Sequence, residues 1–382
     1  MLKKVRFSFL AMAIIILIFF ILSLSDDVKS FIKYEFSKKD LLILNMYPVN
    51  PGIDILAFDP ENKFVIRAEV LDTDGNPVPF ARIILNVDNG FGSVYPADVR
   101  TNKYGEALIS YVPPEYDSGT AEESPAKAVI NASIYRSNVT AKIEVKLSRS
   151  PVVMIHGYQS SGDIFENLMG FLESKGFETI AFNYDSEKGV AYGSRELENF
   201  LLQKKLDYLS QGIQVKRFDI IAHSMGGLVA RFYTCSKEYI KNSDVKKIIF
   251  ISVPHKGSPI ASLGAKYFEG QGILDLIPDS ELFTKAFPSM INKGLNSTIQ
   301  TGNIIAQYDE VVGTNSATLE EWGIGTELFN LGKSNISVDD ILNGTFVEAP
   351  VHKGILSNSK VFEKILHMLE TSLPYPKLIH ES

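Results

Sequence analysis

Residues 218–231 read Phe-Asp-Ile-Ile-Ala-His-Ser-Met-Gly-Gly-Leu-Val-Ala-Arg. The pattern is a strand, a sharp turn with Ser224 at its apex, and a helix. A serine on such a turn is held in a strained backbone conformation with its hydroxyl presented as a nucleophile. The positions two before and two after it must be small, or side chains collide in the turn. They are Ala222 and Gly226. Glycine is usual at both, so Ala222 departs from the pattern by one methyl group. The alternative is a plain turn between a strand and a helix. A serine hydroxyl is a weak nucleophile near neutral pH. It needs a base to take its proton, a carboxylate to orient that base, and N–H groups to hold the developing oxyanion.

For a serine on this kind of turn the partners follow along the chain as acid, then histidine, each at the C-terminal end of a strand. Asp309 directly follows an apolar strand pattern ending at Tyr308, and His352 stands farther on, before the last helix. These are the expected acid and base. The rival bases are His367, inside a helix, His380, in the tail, and His255, which precedes every candidate acid. The rival acids are Glu310, Asp339 and Asp340, the last two explained equally well as helix caps. The first oxyanion donor is the N–H of Met225, at the start of the helix where the dipole helps. The second comes from the loop His156-Gly157-Tyr158-Gln159-Ser160-Ser161-Gly162, and Tyr158 N–H is the candidate.

The surrounding pattern supplies the elements. From Pro151 onward apolar strands alternate with amphipathic helices: strands at Val152–Ile155, Thr179–Tyr184, Lys247–Val253 and Asn303–Tyr308, helices at about Phe165–Lys175, Ser194–Leu209 and Lys360–Leu373. This predicts an α/β fold with a doubly wound, mostly parallel sheet over residues 149–382. An insertion at about 257–300 is far longer than an ordinary connection and rich in Phe, Leu and Ile. It reads either as a lid over the sheet edge or as extra core helices. Residues 41–148 read as short strands punctuated by Gly, Pro and Asn turns, which predicts an all-β sandwich. Residues 26–40 are mixed and charged, as in a linker.

Val153-Met154-Ile155-His156-Gly157-Tyr158, Ala222-His223-Ser224-Met225-Gly226-Gly227 and Val253-Pro254-His255-Lys256-Gly257-Ser258-Pro259 resemble the small bacterial lipases and related esterases, members of the α/β-hydrolases. The serine turn resembles their nucleophile elbow, and some of them carry the same alanine. The resemblance covers Pro151 to Leu373. It implies hydrolysis of carboxylic esters with Ser224, Asp309 and His352 as catalytic triad and a lipid or other ester as substrate. Lipase and esterase both fit, as do an acyltransferase or amidase on the same triad, or a non-catalytic surface adhesin. In the β-rich region, Asp74-Gly75-Asn76-Pro77-Val78-Pro79 followed by Thr101-Asn102-Lys103-Tyr104-Gly105-Glu106-Ala107 resembles bacterial Ig-like domains of the invasin/intimin type, which implies a spacer or adhesive module.

Composition narrows the reading further. The net charge of −7 argues against a nucleic-acid partner. A single cysteine, Cys235, rules out an internal disulfide or a thiolate metal cluster, and no histidine pair has zinc-ligand spacing, so neither metal nor cofactor is expected. At the N-terminus, Lys3, Lys4 and Arg6 precede an apolar run from Phe7 to Leu24 of roughly 18 residues, about the minimum that spans a bilayer. Residues 1–25 therefore read as a signal-anchor or a signal peptide. The body would be exported, either anchored to the membrane facing outside or secreted.

Overall fold

The structure is a computed structural model that describes residues 24–35, 41–116, 125–333 and 350–379. Nearly all of the apolar N-terminal run, together with Asp339, Asp340 and His380, lies outside the described residues. Among the described residues no helix is long and apolar enough to cross a membrane. The chain divides into two compact units. The first comprises Met1–Asp54, Asn62–Pro114 and Lys127–Lys146; the second comprises Ile55–Glu61, Glu115–Ala126 and Leu147–Ser382.

The first unit is built from short strands. The strands are β1 (Ile43–Pro48), β3 (Phe64–Leu71), β4 (Arg82–Val87), β5 (Ser93–Tyr95), β6 (Asp98–Arg100), β7 (Glu106–Val112), β8 (Ala126–Ile134) and β9 (Thr140–Ser148), with β2 (Ile55–Ala57) assigned to the second unit. One antiparallel sheet runs β1-β3-β7-β5, and β9, β8, β4 and β6 are neighbours in another. Alternation explains the burial: Phe64, Ile66, Ala68 and Val70 of β3 face inward while Val65 and Arg67 between them do not. Asp26–Glu35, read from sequence as linker, forms helix α1. Its Tyr34 is buried, and the Tyr34 hydroxyl accepts the Arg82 N–H at 3.0 Å. The mixed charges of that stretch lie on the faces of the helix not used by Tyr34, which is why composition alone resembled a solvated connector.

In the second unit a sheet of β10 (Val152–Ile155), β11 (Thr179–Phe182), β13 (Phe218–His223), β14 (Val245–Ile251), β15 (Gln300–Ala306) and β16 (Glu327–Phe329) has the order β11-β10-β13-β14-β15-β16. Every pair in it is parallel. Strands buried on both faces need apolar residues at consecutive positions, and alternate residues here feed two cores. Val153, Ile155, Ile220 and Phe250 join one, packed with Leu197 and Leu201 of α3 (Val190–Ser210) and Leu228 of α4 (Met225–Thr234). Val152, Met154, Ile221 and Ile249 join the other, with Leu168 of α2 (Glu166–Ser174) and Phe362 and Ile365 of α5 (Ser359–Glu370).

The strand order reverses between β10 and β13. In open parallel sheets that crevice, at the carboxyl ends of the strands, is where ligands bind. It receives both the loop after β10 and Ser224, which follows β13. The segment Ile55–Glu61, read from sequence with the β-rich region, is assigned to this second unit. Its strand β2 pairs in parallel with β12 (Ile213–Gln214), and the fully buried Asp59 receives a bidentate Arg217 at 2.5 and 2.8 Å. The Asp59–Arg217 pair and the β2–β12 pairing join residues 158 positions apart, which leaves no trace in an alternation pattern.

Candidate active site

The serine turn is strained where the sequence requires it to be. Ser224 has φ 53° and ψ −129°, a region L-residues rarely occupy and one that clusters at functional sites. Its N–H bonds Ile251 O at 3.0 Å, and its own carbonyl accepts Gly227 N–H at 3.0 Å, so the turn is pinned to β14 on one side and starts α4 on the other. Gly226 leaves no room for a side chain: a Cβ there would lie 2.5 Å from His156 O and press on Ile155 O. Ala222 is fully buried in the core beneath the turn, where its methyl group is accommodated.

His352 lies in the short helix Pro350–Gly354 and is held at three points. Its Nδ1 donates to Asp309 Oδ2 at 2.8 Å and is 3.0 Å from Oδ1. Its backbone N–H donates to Glu310 Oε2 at 3.0 Å, and the neighbouring Val351 N–H to Glu310 Oε1 at 3.1 Å. Its carbonyl accepts His223 Nε2–H at 3.0 Å. Asp309 stands in the loop after β15, which ends at Ala306, three residues before the acid rather than directly before it as the pattern predicts. Asp309 Oδ1 also accepts the N–H groups of Val311 and Val312 at 2.9 and 2.8 Å. Burial alone would raise its carboxyl, but the His352 charge and hydrogen bond, with the Val312 N–H, hold it below the ordinary carboxylate value.

His223 is driven the other way. Complete burial, reinforced by the nearby His352, pushes it down to about 3, so the ring is neutral and the proton it donates to His352 O sits on Nε2. Its Nδ1 is buried without a partner among the described residues.

Gly157, Tyr158, Ser224, His223 and His352 line one pocket, so of the predicted residues Ser224, His352 and Tyr158 are brought together, with Asp309 hydrogen-bonded to His352. Met225 contributes no lining; its side chain is buried in the core and its N–H lies at the first position of α4, next to Ser224. No hydrogen bond to the N–H of Tyr158 or of Met225 is found among the described residues. Gly157 must be glycine because a Cβ would sit 2.8 Å from Ser224 Cβ. The loop is fixed by His156: its Nδ1 donates to Gly157 O at 2.9 Å, and its ring stacks on Tyr184 at 4.6 Å. The Tyr184 hydroxyl reaches back to His156 O at 3.1 Å.

The rivals have other work. His255 faces Arg231, His367 is exposed on α5, and Glu310 holds backbone rather than imidazole. Cys235 is buried and its thiol is pushed up to about 12 by burial, which makes it an inert apolar side chain. Among the described residues no group of three or more His, Cys, Asp or Glu is arranged to hold a metal ion. Sequence reasoning missed Glu310 as a support for the His352 backbone, and missed His156 and His223 as supports for the loop after β10 and for the His352 carbonyl. The one available signal was adjacency: Glu310 to Asp309, His223 to Ser224, His156 to Gly157.

Part of the insertion lines this pocket. Ile260, Ala261 and Leu276 line it, while Ile273, Leu282 and Phe287 are buried in the core below. The cavity measures about 40 Å³, room for only a few water molecules.

Residues 150–303 match a family model described as the alpha/beta hydrolase fold. The second unit has that fold. The chain is also similar to triacylglycerol lipase 2 of Saccharomyces cerevisiae, 33% identical over 108 residues, which are 27% of this chain and 31% of the yeast protein. The match thus spans less than a third of that relative's length. Solved structures similar to the chain include a Bacillus licheniformis lipase in its propeptide form, with 14% identity, TM-score 0.44, and 61% of this chain and 53% of that one covered. Aspergillus fumigatus lipase B is similar at 16% identity and TM-score 0.43, over 59% and 54%. The D00-D0 domain of intimin is similar at 13% identity and TM-score 0.24, over 28% and 48%.

Proposed function

We propose that the protein is a serine hydrolase that cleaves carboxylic esters of acyl lipids through an acyl-enzyme on Ser224. The observation that carries this is the seating of His352: its Nδ1–H is fixed on Asp309, and the residue shares a pocket with a serine of positive φ. With Nδ1 committed as donor to the carboxylate, Nε2 is left as the basic nitrogen.

In this reading Ser224 Oγ attacks the acyl carbonyl and gives its proton to His352. The N–H groups of Tyr158 and Met225 take the oxyanion. Collapse of the tetrahedral intermediate breaks the ester C–O bond, and the alcohol leaves with the proton from His352. Water then attacks the acyl-enzyme with His352 again as base, releasing the carboxylic acid and restoring Ser224. The yeast relative's name, a triacylglycerol lipase, supports an acyl-lipid substrate. The apolar lining that Ile260, Ala261 and Leu276 of the insertion give the pocket supports a cover that moves to admit an acyl chain. The apolar N-terminal run supports export to the membrane or beyond it, with the β-rich unit as a spacer of the Ig-like kind.

The test is covalent labelling with a fluorophosphonate together with ester turnover. Wild type is labelled on Ser224 alone and hydrolyses p-nitrophenyl esters. Ser224→Ala loses both. Turnover by the alanine variant at the wild-type rate rejects the reading, and a product carrying an added alcohol or amine in place of water would move it to acyl transfer.

A further inference from the structure

Arg231 lies seven positions after Ser224 on α4 and has no part in the chemistry above. It is only 2% exposed, yet among the described residues no carboxylate pairs with it. Its Nε donates to Gly294 O at 2.8 Å, and its Nη1 to His255 O at 3.0 Å and towards His255 Nδ1 at 3.3 Å. The guanidinium lies over the Phe287 ring at 4.2 Å and the Trp322 ring at 5.3 Å. Burial lowers its pKa to about 10, so it remains a cation at neutral pH. A buried cation held only by carbonyl dipoles and ring faces keeps an uncompensated charge, which is costly unless something anionic reaches it.

Nη2 is the part of Arg231 that stays available. It takes none of the hydrogen bonds above, and it is not among the fully buried unpaired atoms. Arg231 lines a cavity of about 280 Å³. Lys256 and Lys293 stand on the same cavity, and Phe283, Phe287 and Trp322 form its apolar walls. The rim at Lys293 is built at a cost: Asn292 and Lys293 are consecutive non-glycine residues at φ 46° and 53°. Trp322 is fixed there by its Nε1–H bond to Asn292 O at 2.9 Å. Glu321, exposed on the rim, is the acid that an incoming anion would have to oppose.

We propose that this cavity binds an oxyanion carried on an apolar body, such as an alkyl carboxylate or alkyl phosphate. The head sits on Arg231 Nη2 between Lys256 and Lys293, and the body lies against Phe283, Phe287 and Trp322. The two N–H bonds of Nη2 can be donated to the oxygens of either head. The cavity shares no lining residue with the pocket over Ser224. The two are linked by one loop, in which Pro254 and Ser258 face the serine while His255 and Lys256 face the second cavity. Binding here stands independently of the ester-hydrolysis reading.

The chain supplies its own probe, since Trp322 is its single tryptophan. Tryptophan emission of the full-length protein is titrated with octanoate, octyl phosphate, octanol and inorganic phosphate. A saturable change is expected with octanoate or octyl phosphate, with octanol and inorganic phosphate at least about tenfold weaker. Lys256→Ala and Lys293→Ala should each weaken binding about threefold, and Glu321→Gln should tighten it. Arg231→Lys, whose single ammonium cannot hold Gly294 O and His255 O and also meet the anion, should weaken it by about tenfold or more. Should that variant fail to fold, the three rim variants still decide the matter. The proposal is overturned by octanol binding as well as octanoate, by rim variants that leave affinity unchanged, or by no saturable response to any of the anionic amphiphiles.

Discussion

Glu310 and His352 are joined through the backbone: the carboxylate takes the His352 N–H at 3.0 Å while the adjacent Asp309 takes the imidazole at 2.8 Å. Two consecutive acids therefore hold one histidine by its two ends. Losing the second contact should let the Pro350–Gly354 helix drift without removing any reacting group. Glu310→Gln is expected to lower kcat about tenfold with KM nearly unchanged, because misplacement of a base by a fraction of an ångström has that scale of cost. Asp309→Asn should fall much further, by about 10⁴, since an amide stabilises the wrong tautomer. Steady-state kinetics on a soluble ester check both. Equal losses for the two variants would mean that Glu310 acts as a second acid and not as a backbone support.

His223 gives a pH signature. Its folded value of about 3 lies below the 6.5 of a free imidazole. Between those values the unfolded chain binds a proton that the folded chain does not, so folding stability drops as pH falls from 6.5 towards 3 and is unaffected by this group above 6.5. Asp309 adds its own loss lower down, as pH falls below the ordinary 3.8 towards its depressed folded value. His223→Gln keeps a donor for His352 O but cannot titrate. Chemical denaturation from pH 7 to 3 should show a shallower fall for this variant than for wild type, with activity at pH 7 largely kept. Identical slopes would show that His223 is protonated in the folded state.

The middle of the parallel sheet was legible because β10, β13 and β14 carry buried apolar runs whose alternate residues feed two cores, whereas the edge strand β16, Glu327–Phe329, is short, mostly exposed and was not read. The pairing of Asp309 with His352 was legible from chain order, although Asp309 lies three residues past the end of β15 and His352 lies in a short helix and not at a strand end. The supports were not. Glu310 acts through the backbone of a residue 42 positions away, and His156 through its own peptide; neither leaves a spacing. Helix α1 was hidden by its charges, which the single buried Tyr34 offsets. Arg231 was read as part of a helix, since a sequence does not show that its carboxylate partner is missing.

The turn itself can be tested from both flanks. Gly226→Ala forces a methyl group to 2.5 Å from His156 O, so either the turn or the loop carrying Tyr158 must move. A loss of about 1–3 kcal/mol of stability and of most fluorophosphonate labelling is expected. Ala222→Gly restores the commoner residue and removes only a buried methyl group. It should leave turnover unchanged and cost about 1 kcal/mol through backbone freedom and lost packing. Thermal melts and labelling rates on the two variants measure this. A gain of activity in Ala222→Gly would mean that the alanine restrains the serine.

Leu276 tests whether the insertion governs the acyl chain. It is 5% exposed and lines the pocket above Ser224. The cavity has about 40 Å³ of free space, so a long acyl chain has to press on its lining. Leu276→Ala shortens the cover by several carbon atoms, reducing the displacement a long chain must cause. The ratio of kcat/KM for a decanoyl over a butyryl ester should therefore rise about tenfold, equivalent to ~1.4 kcal/mol and within the 1–3 kcal/mol that a change in pocket volume usually gives. The butyryl rate should change little, because the serine turn and His352 are untouched. If both esters respond by the same factor, Leu276 supports the site without gating the chain, and the insertion is an ordinary part of the core.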